Sequence, residues 1–224
     1  LFWQRRGVII SGAMGSGKTY QLNSLLYLAP PHVQIVVVER GAKEIWTPLS
    51  NQMLHITATR EEDLERALDQ ALRYGTAHTV IVLGEARTAK ELYYLVMYTL
   101  TGHGNATTMH AEDVQTALTR IAESKAPIEG LEGFVAAHFG LAWTGSGYTR
   151  TLKEVWEVSK DYDAEHPRLK EYGLGLRNPL KMTEEEKQIV MKLAAVYKTV
   201  AEASPTPHEA RGMAVEAMRR LGLA

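Results

Sequence analysis

The sequence predicts an α/β fold, a mostly parallel sheet flanked by helices, with a helical appendage at its C-terminal end. Three observations carry this expectation. The runs at residues 33–39 and 79–83 are strand-sized and apolar on both faces, as in strands covered by helices on either side. Segments with helical spacing alternate with them, the pattern of an α/β chain. A glycine-rich loop, residues 12–19, lies between an apolar strand-like run and a helical one.

In chain order, residues 7–11 read as the first strand and residues 20–28 as a helix that ends before Pro30-Pro31. Residues 33–39 form the second strand, with Glu39 at its carboxyl end. Residues 54–57 are a short strand candidate. Thr59, with Glu62 three residues on, reads as a capping box opening a helix that runs to Tyr74. Residues 79–83 form a buried strand closing on Gly84-Glu85, and residues 88–100 the next helix. A turn at Thr101-Gly102-His103-Gly104-Asn105 leads to a strand at 106–109 and a helix at 112–124. After a short helix beyond Pro127, the apolar segment 133–143, the turn Gly145-Ser146-Gly147 and the alternating segment 151–158 read as an antiparallel hairpin. Residues 159–179 are polar and punctuated by Gly and Pro, the signature of a linker. Two helices, 182–202 and 207–223, then form a helical hairpin. The division is thus a nucleotide-type domain at 1–158 and a linker with helical hairpin at 159–224.

Composition narrows the function classes. With 224 residues, 45% hydrophobic and 23% charged, the chain has enough apolar material for a substantial core and is not disordered. Lys+Arg 25 against Asp+Glu 26 leaves a net charge of −1, so nothing global advertises nucleic acid or an anionic membrane. The absence of cysteine removes disulfides, thiol nucleophiles and cysteine-based zinc sites, and suits the cytoplasm. No run reaches the 18 apolar residues of a membrane span, so a soluble chain without direct membrane insertion is expected. The first residue is Leu rather than Met, from which a preceding N-terminal portion is expected.

The chemistry concentrates in Gly12-Ala13-Met14-Gly15-Ser16-Gly17-Lys18-Thr19, which fits G-x-x-x-x-G-K-[ST] in its strand–loop–helix context. Gly12, Gly15 and Gly17 let the backbone wrap, so that amides around Ser16 and the helix start at Tyr20 point at phosphate. Lys18 reaches the terminal phosphates, and Thr19 offers its hydroxyl to Mg²⁺. ATP and Mg²⁺ are therefore the expected ligands. Hydrolysis also needs carboxylates at the C-terminal edge of the sheet, where α/β ligand crevices lie. Glu85 and Glu39 are both candidates there, each with a solvated-carboxylate alternative. His103 and His110 flank the next segment; their spacing of seven is unlike a helical zinc pair. A hydrogen bond from imidazole to a γ-phosphate oxygen is the functional alternative to a structural histidine.

Together these residues resemble the secretion-superfamily ATPases that power type II and type IV secretion, type IV pili and the archaellum, over residues 7–158. Four boxes stand in the family's order: the Walker A loop; Val38-Glu39 with Glu44 following, like an Asp box; the Walker B equivalent Val82-Leu83-Gly84-Glu85-Ala86-Arg87; and a His box from Thr101-Gly102-His103 to Thr108-Met109-His110-Ala111. The resemblance implies a RecA-like P-loop NTPase core. It implies that Lys18 and Thr19 hold phosphate and magnesium, Glu85 is the Walker B acid and metal-side carboxylate, Glu39 activates water, and His110 contacts the γ-phosphate. Arg73 is similar to an arginine placed before the Walker B strand that reaches a neighbour's nucleotide. Arg40 departs from the family's acidic residue, Glu44 is displaced by one position, and the Pro-Asp before the Walker B strand is absent.

The resemblance further implies a homo-oligomer, a hexameric ring with ATP between subunits, located in the cytoplasm at the membrane periphery and working with a polytopic membrane platform protein. Arg87, Arg120 and Arg5-Arg6 are candidates for an arginine acting in trans, with a plain surface charge as the alternative for each. The expected activity is a Mg²⁺-dependent ATPase that drives filament assembly or macromolecular secretion, with no obligatory nucleic acid. Its rivals are a DNA-translocating or packaging ATPase, which needs a basic pore and salt-sensitive DNA binding, and a non-hydrolysing nucleotide-gated scaffold, suggested by the altered Asp box.

Overall fold

The computed structural model describes residues 6–27, 29, 32–45, 53–76, 78–178 and 207–220, with isolated helical positions between 184 and 203. Its elements are β1 (Gly7–Gly12), α1 (Lys18–Tyr27), β2 (Gln34–Arg40), β3 (Met53–Ala58), α2 (Glu61–Tyr74), β4 (Thr79–Leu83), α3 (Ala89–Leu100), β5 (Gly104–Met109), α4 (Val114–Glu123), β6 (Val135–Trp143), β7 (Tyr148–Ser159), α5 (Pro167–Lys170), β8 (Gly175–Arg177) and α6 (Pro207–Arg220). The strands make one sheet of order β3-β2-β4-β5-β1-β6-β7-β8. Pairing is parallel from β3 through β6 and antiparallel where β7 and β8 join.

The two-residue period of the strands divides the core between two layers. Ile9, Val36, Val38, Ile81 and Leu83 pack with side chains of α2, α3 and α4 on one face. Val8, Ile10, Ile35, Val37, Val80 and Val82 pack with Leu22 and Leu26 of α1 on the other. Adjacent residues thus serve opposite layers, which is why these strands carry apolar residues continuously rather than alternately. Each fully buried Val or Ile contributes roughly 1.5–3 kcal/mol of transfer free energy.

β5 is buried at every position although it carries Asn105, Thr107 and Thr108. Its polarity has local partners. The Thr108 hydroxyl donates to the Gly84 carbonyl at 2.8 Å, and the Ala86 amide donates to the Thr108 carbonyl at 2.9 Å. These bonds tie the tip of β5 to the turn after β4.

Two expectations change. The start of α2 is not capped by Thr59: Arg60 holds the cap position without a side-chain bond to the helix amides, and Thr59 Oγ1 sits 3.4 Å from Asp63. The reciprocal box forms instead at α3, where Thr88 and Glu91 satisfy each other's backbone amides. Residues 160–178 are also not a plain linker. α5 seats Leu169 in the core, β8 pairs with β7 so that Leu176 is buried, and Glu157 of β7 is clamped by Arg6 and Arg177. Of the expected helical hairpin, α6 is present, while most of residues 182–202 lies outside the described residues.

Replacing Thr88 by Ala should lower stability by about 1 kcal/mol, whereas Thr59→Ala should cost under about 0.5 kcal/mol; denaturant midpoints of the two variants check the reassigned cap.

Candidate functional site

Strand order assembles the site. The tips of β2, β4, β5 and β1 lie side by side at the C-terminal edge of the sheet. They carry respectively Glu39, Glu85, His110 and the loop that begins at Gly12. Four segments scattered over about a hundred residues of sequence therefore meet within a few strand spacings of one another.

The loop itself is held in a shape that only its glycines permit. Gly12, Gly15 and Gly17 have φ of 152°, 78° and 89°, in the region that side chains with a Cβ avoid. A Cβ on Gly12 would also collide with the Phe139 carbonyl of β6 and stand 2.5 Å from Ser16 Oγ. Within the loop the Ser16 amide donates to the Ala13 carbonyl at 3.2 Å. No acceptor among the described residues takes the amides of Gly15, Gly17, Lys18 or Thr19. Ser16 Oγ is buried without a hydrogen-bond partner. Unused donors at a helix N-terminus form an anion-binding concavity.

Lys18 is 7% exposed, and its Nζ donates to the Ala13 carbonyl at 2.9 Å. Burial holds its pKa below the ordinary 10.5, while the charges of Glu85 and Glu44 pull it upward. His110 bridges the two parts of the site: Nδ1 lies 3.5 Å from Lys18 Nζ, and Nε2 lies 3.1 Å from Glu85 Oε1. The second approach is at ion-pair distance but is not aligned as a hydrogen bond, so Glu85 Oε1 is buried without one. The other Glu85 oxygen accepts from Arg87 Nη2 at 2.6 Å, a contact that raises the Arg87 pKa.

Glu39 and Glu85 stand at the strand tips where they are expected, but their contacts differ. Glu39, expected to activate water, is 4% exposed and fully engaged. Its Oε1 accepts from the amides of Glu44 and Ile45 at 2.9 and 3.0 Å, and its Oε2 meets His55 Nε2 at 2.5 Å. The carboxylate that faces the phosphate loop is Glu44, whose Oε2 is 3.5 Å from Thr19 Oγ1. Glu39 thus fixes the bend that brings Glu44 into place. Glu44 was named in the sequence only as following the strand end; its position depends on a loop conformation that spacing does not reveal. Glu39, Glu44, Gly84, Glu85 and Arg87 line one cleft beside the loop.

The remaining candidates separate. Tyr20 begins the exposed side of α1 and is 68% exposed. Arg73 does not join the site: it ends α2, at the opposite edge of the sheet, and pairs with Asp69 at 2.9 Å. Arg120 braces the site by donating to the carbonyls of His110 and Arg87 at 2.5 and 3.2 Å. His103 is buried on the other side of β5, with Nδ1 3.0 Å from Thr101 Oγ1.

A magnesium ion has suitable partners here, because the Thr19 hydroxyl and the Glu44 and Glu85 carboxylates are hard oxygen donors. No three His, Asp or Glu side chains converge as a self-sufficient metal site among the described residues. That pattern suits a cation carried largely by phosphate oxygens and water.

The fold is a RecA-like α/β sheet that carries a G-x-x-x-x-G-K-T loop at its C-terminal edge. The profile of the type II/IV secretion system protein family matches residues 2–127, more than half of the chain, and the chain belongs to that family. It is 33% identical over 175 residues to the conjugal transfer protein TrbB of Rhizobium radiobacter, covering 72% of this chain and 52% of that protein. It is 30% identical over 132 residues to the competence protein ComGA of Halalkalibacterium halodurans, covering 58% of this chain and 37% of that one. The chain therefore spans about half or less of these relatives' length. Among solved structures, the ATPase DotB of Legionella pneumophila aligns with 96% of this chain and 52% of its own, with a TM-score of 0.54 and 19% identity, a likeness of fold.

Glu39→Ala should cost about 2–3 kcal/mol, because it leaves two loop amides and a histidine without their shared acceptor. Glu44→Ala, at an exposed position, should stay within about 0.5 kcal/mol. Thermal or chemical denaturation distinguishes the two.

Proposed function

We propose that this chain is the motor part of a Mg²⁺-dependent ATPase that converts hydrolysis into subunit movement for secretion or for assembly of a pilus-type filament. The observation that supports it most is the set of amides without an acceptor among the described residues, at Gly15, Gly17, Lys18 and Thr19, around the buried ammonium of Lys18, beside a glutamate oxygen that lacks a hydrogen bond. Such donors are suited to phosphate oxygens, and the acids beside them to water.

On this reading the loop amides, Ser16 Oγ and Lys18 bind the β- and γ-phosphates of ATP. Lys18 exchanges the Ala13 carbonyl for phosphate. The Thr19 hydroxyl, with Glu44 and Glu85, faces the position of Mg²⁺, which when bound supplies charge neutralisation on the phosphate oxygens. Glu85 orients the attacking water and Glu44 adds a second acceptor for its proton. The water oxygen bonds to the γ-phosphorus, the bond to the β–γ bridging oxygen breaks, and ADP and inorganic phosphate result. His110, between Lys18 and Glu85, donates from its ring nitrogen to the γ-phosphate and links phosphate occupancy to the carboxylate.

Arg73 lies too far from its own chain's loop to act there, so any role on nucleotide would be across an interface between copies. The proposal includes a homo-oligomeric ring, a hexamer by the family resemblance, acting in the cytoplasm against a polytopic membrane platform. No helix among the described residues is long and apolar enough to cross a membrane. The balanced charge supports a motor that does not require nucleic acid.

Lys18→Ala should lower nucleotide affinity by at least about tenfold and abolish turnover, since it removes a charge-assisted contact. Glu85→Gln should retain binding of a fluorescent ATP analogue and stop phosphate release; normal release by this variant would refute its assignment. Because the Lys18 pKa is depressed, its charge is lost at lower pH than for an ordinary lysine. Nucleotide affinity should therefore fall on the alkaline side before pH 10.5 is reached, which a binding titration across pH reads directly.

A further inference from the structure

The hairpin β6–β7 lies outside the segment matched by the family profile, yet it covers the phosphate loop. Leu141 of β6 and Arg150 of β7 are direct cross-strand partners, so their side chains share one face of the hairpin. That face meets the crest of the loop. Arg150 Nε donates to the Gly15 carbonyl at 2.9 Å. The Arg150 Cδ lies 3.0 Å from where a Cβ on Gly17 would stand, and a Leu141 methyl lies 3.7 Å from the corresponding point at Gly15. The Phe139 carbonyl of the same hairpin closes against Gly12, just beyond the shift in register between His138 and Phe139.

We propose that Arg150 is a positioning residue of the phosphate loop in its own chain, holding the Gly15 carbonyl outward so that the neighbouring amides stay turned toward bound phosphate. This inference rests on the nucleotide reading above and adds a residue to it.

The argument is one of satisfied and free groups. The Gly15 carbonyl and the Ser16 amide belong to one peptide unit and point opposite ways. The Arg150 bond on one side and the Ser16 bond to the Ala13 carbonyl on the other therefore pin that unit, and with it the start of the Gly17 to Thr19 run whose amides have no acceptor among the described residues. Two carbonyls of this loop have cationic donors, Ala13 from Lys18 and Gly15 from Arg150. Their fates on phosphate binding differ. The Lys18 ammonium is needed by the anion and leaves Ala13. Arg150 approaches from the hairpin side, and its Nε bond to Gly15 can persist. The Nη groups of Arg150 meet no acceptor among the described residues, so no carboxylate competes for this side chain or holds it elsewhere. Packing of the arginine stem on Gly17 adds a second reason for glycine there beyond its positive φ.

The test uses the full chain with Arg150→Ala and Arg150→Gln beside the wild type. Without nucleotide, hydrogen exchange of the Ser16 and Gln21 amides, which bond to the Ala13 and Gly17 carbonyls of the loop, should quicken in both variants while exchange in β4 and β5 stays unchanged. The dissociation constant for an ATP analogue should rise about tenfold in Arg150→Ala and less in Arg150→Gln, whose amide retains a donor. KM should follow the dissociation constant, with kcat altered by less than about twofold, the signature of a group that prepares the loop equally for ground and transition states. Unchanged loop exchange and affinity in Arg150→Ala would overturn the proposal. So would a loss confined to kcat, which would make Arg150 a transition-state donor. Failure of the wild-type chain to bind any nucleotide would instead defeat the nucleotide reading, and the exchange measurement would still decide whether Arg150 orders the loop.

Discussion

A backbone that gathers amides around an anion must find donors for the carbonyls it turns away, and must bend where a Cβ would obstruct it. Much of this site follows from that constraint. Glycine at 12, 15 and 17 permits the bend, the Phe139 carbonyl sets how closely β6 approaches, and Lys18 and Arg150 satisfy two of the outward carbonyls. The loop is shaped as much by the strand and hairpin beside it as by its own residues.

Around the loop, the sheet acts as a positioning frame. Parallel strands stacked between two apolar layers give tips that cannot shift independently, because each register is tied to the alternation that buries its side chains. The order β2-β4-β5-β1 then presents Glu39, Glu85, His110 and the loop as a row. The acids in that row divide the work. Glu39 is buried and accepts the amides that shape the 44–45 bend, which leaves Glu44 open toward Thr19 and Glu85 open toward His110. Glu39 thus has both carboxylate oxygens occupied, whereas Glu85 keeps one buried oxygen without a hydrogen bond, next to His110.

Much of the fold was legible because it rests on local pattern. The continuous apolar runs of β2 and β4, the helical spacing of α3 and α4, the turn before β7 and the G-x-x-x-x-G-K-T loop are all properties of neighbouring residues. What misled was also local. Thr59 and Glu62 have the spacing of a capping box, but β3 runs on to Ala58 and the helix starts one residue later than that box requires. The polar residues 160–178 look like a connector, yet Leu169, Leu174 and Leu176 are placed so that a short helix and an edge strand bury them. Arg73 resembles a family position by motif order alone, and an arginine before a strand lies at the edge opposite to the strand's carboxyl tip, away from its own chain's loop.

The chain's order of residues was enough to determine the α/β class and the glycine-rich loop between β1 and α1, because helix period, strand period and positive-φ glycine turns are all encoded within a few residues. The different contacts of Glu39 and Glu44, the place of Arg73 at the opposite edge of the sheet and the arrival of Arg150 at Gly15 were decided only by the tertiary structure. Those outcomes depend on which groups, separated by up to 135 positions, become neighbours and compete for the same hydrogen bonds, and that competition has no local signature.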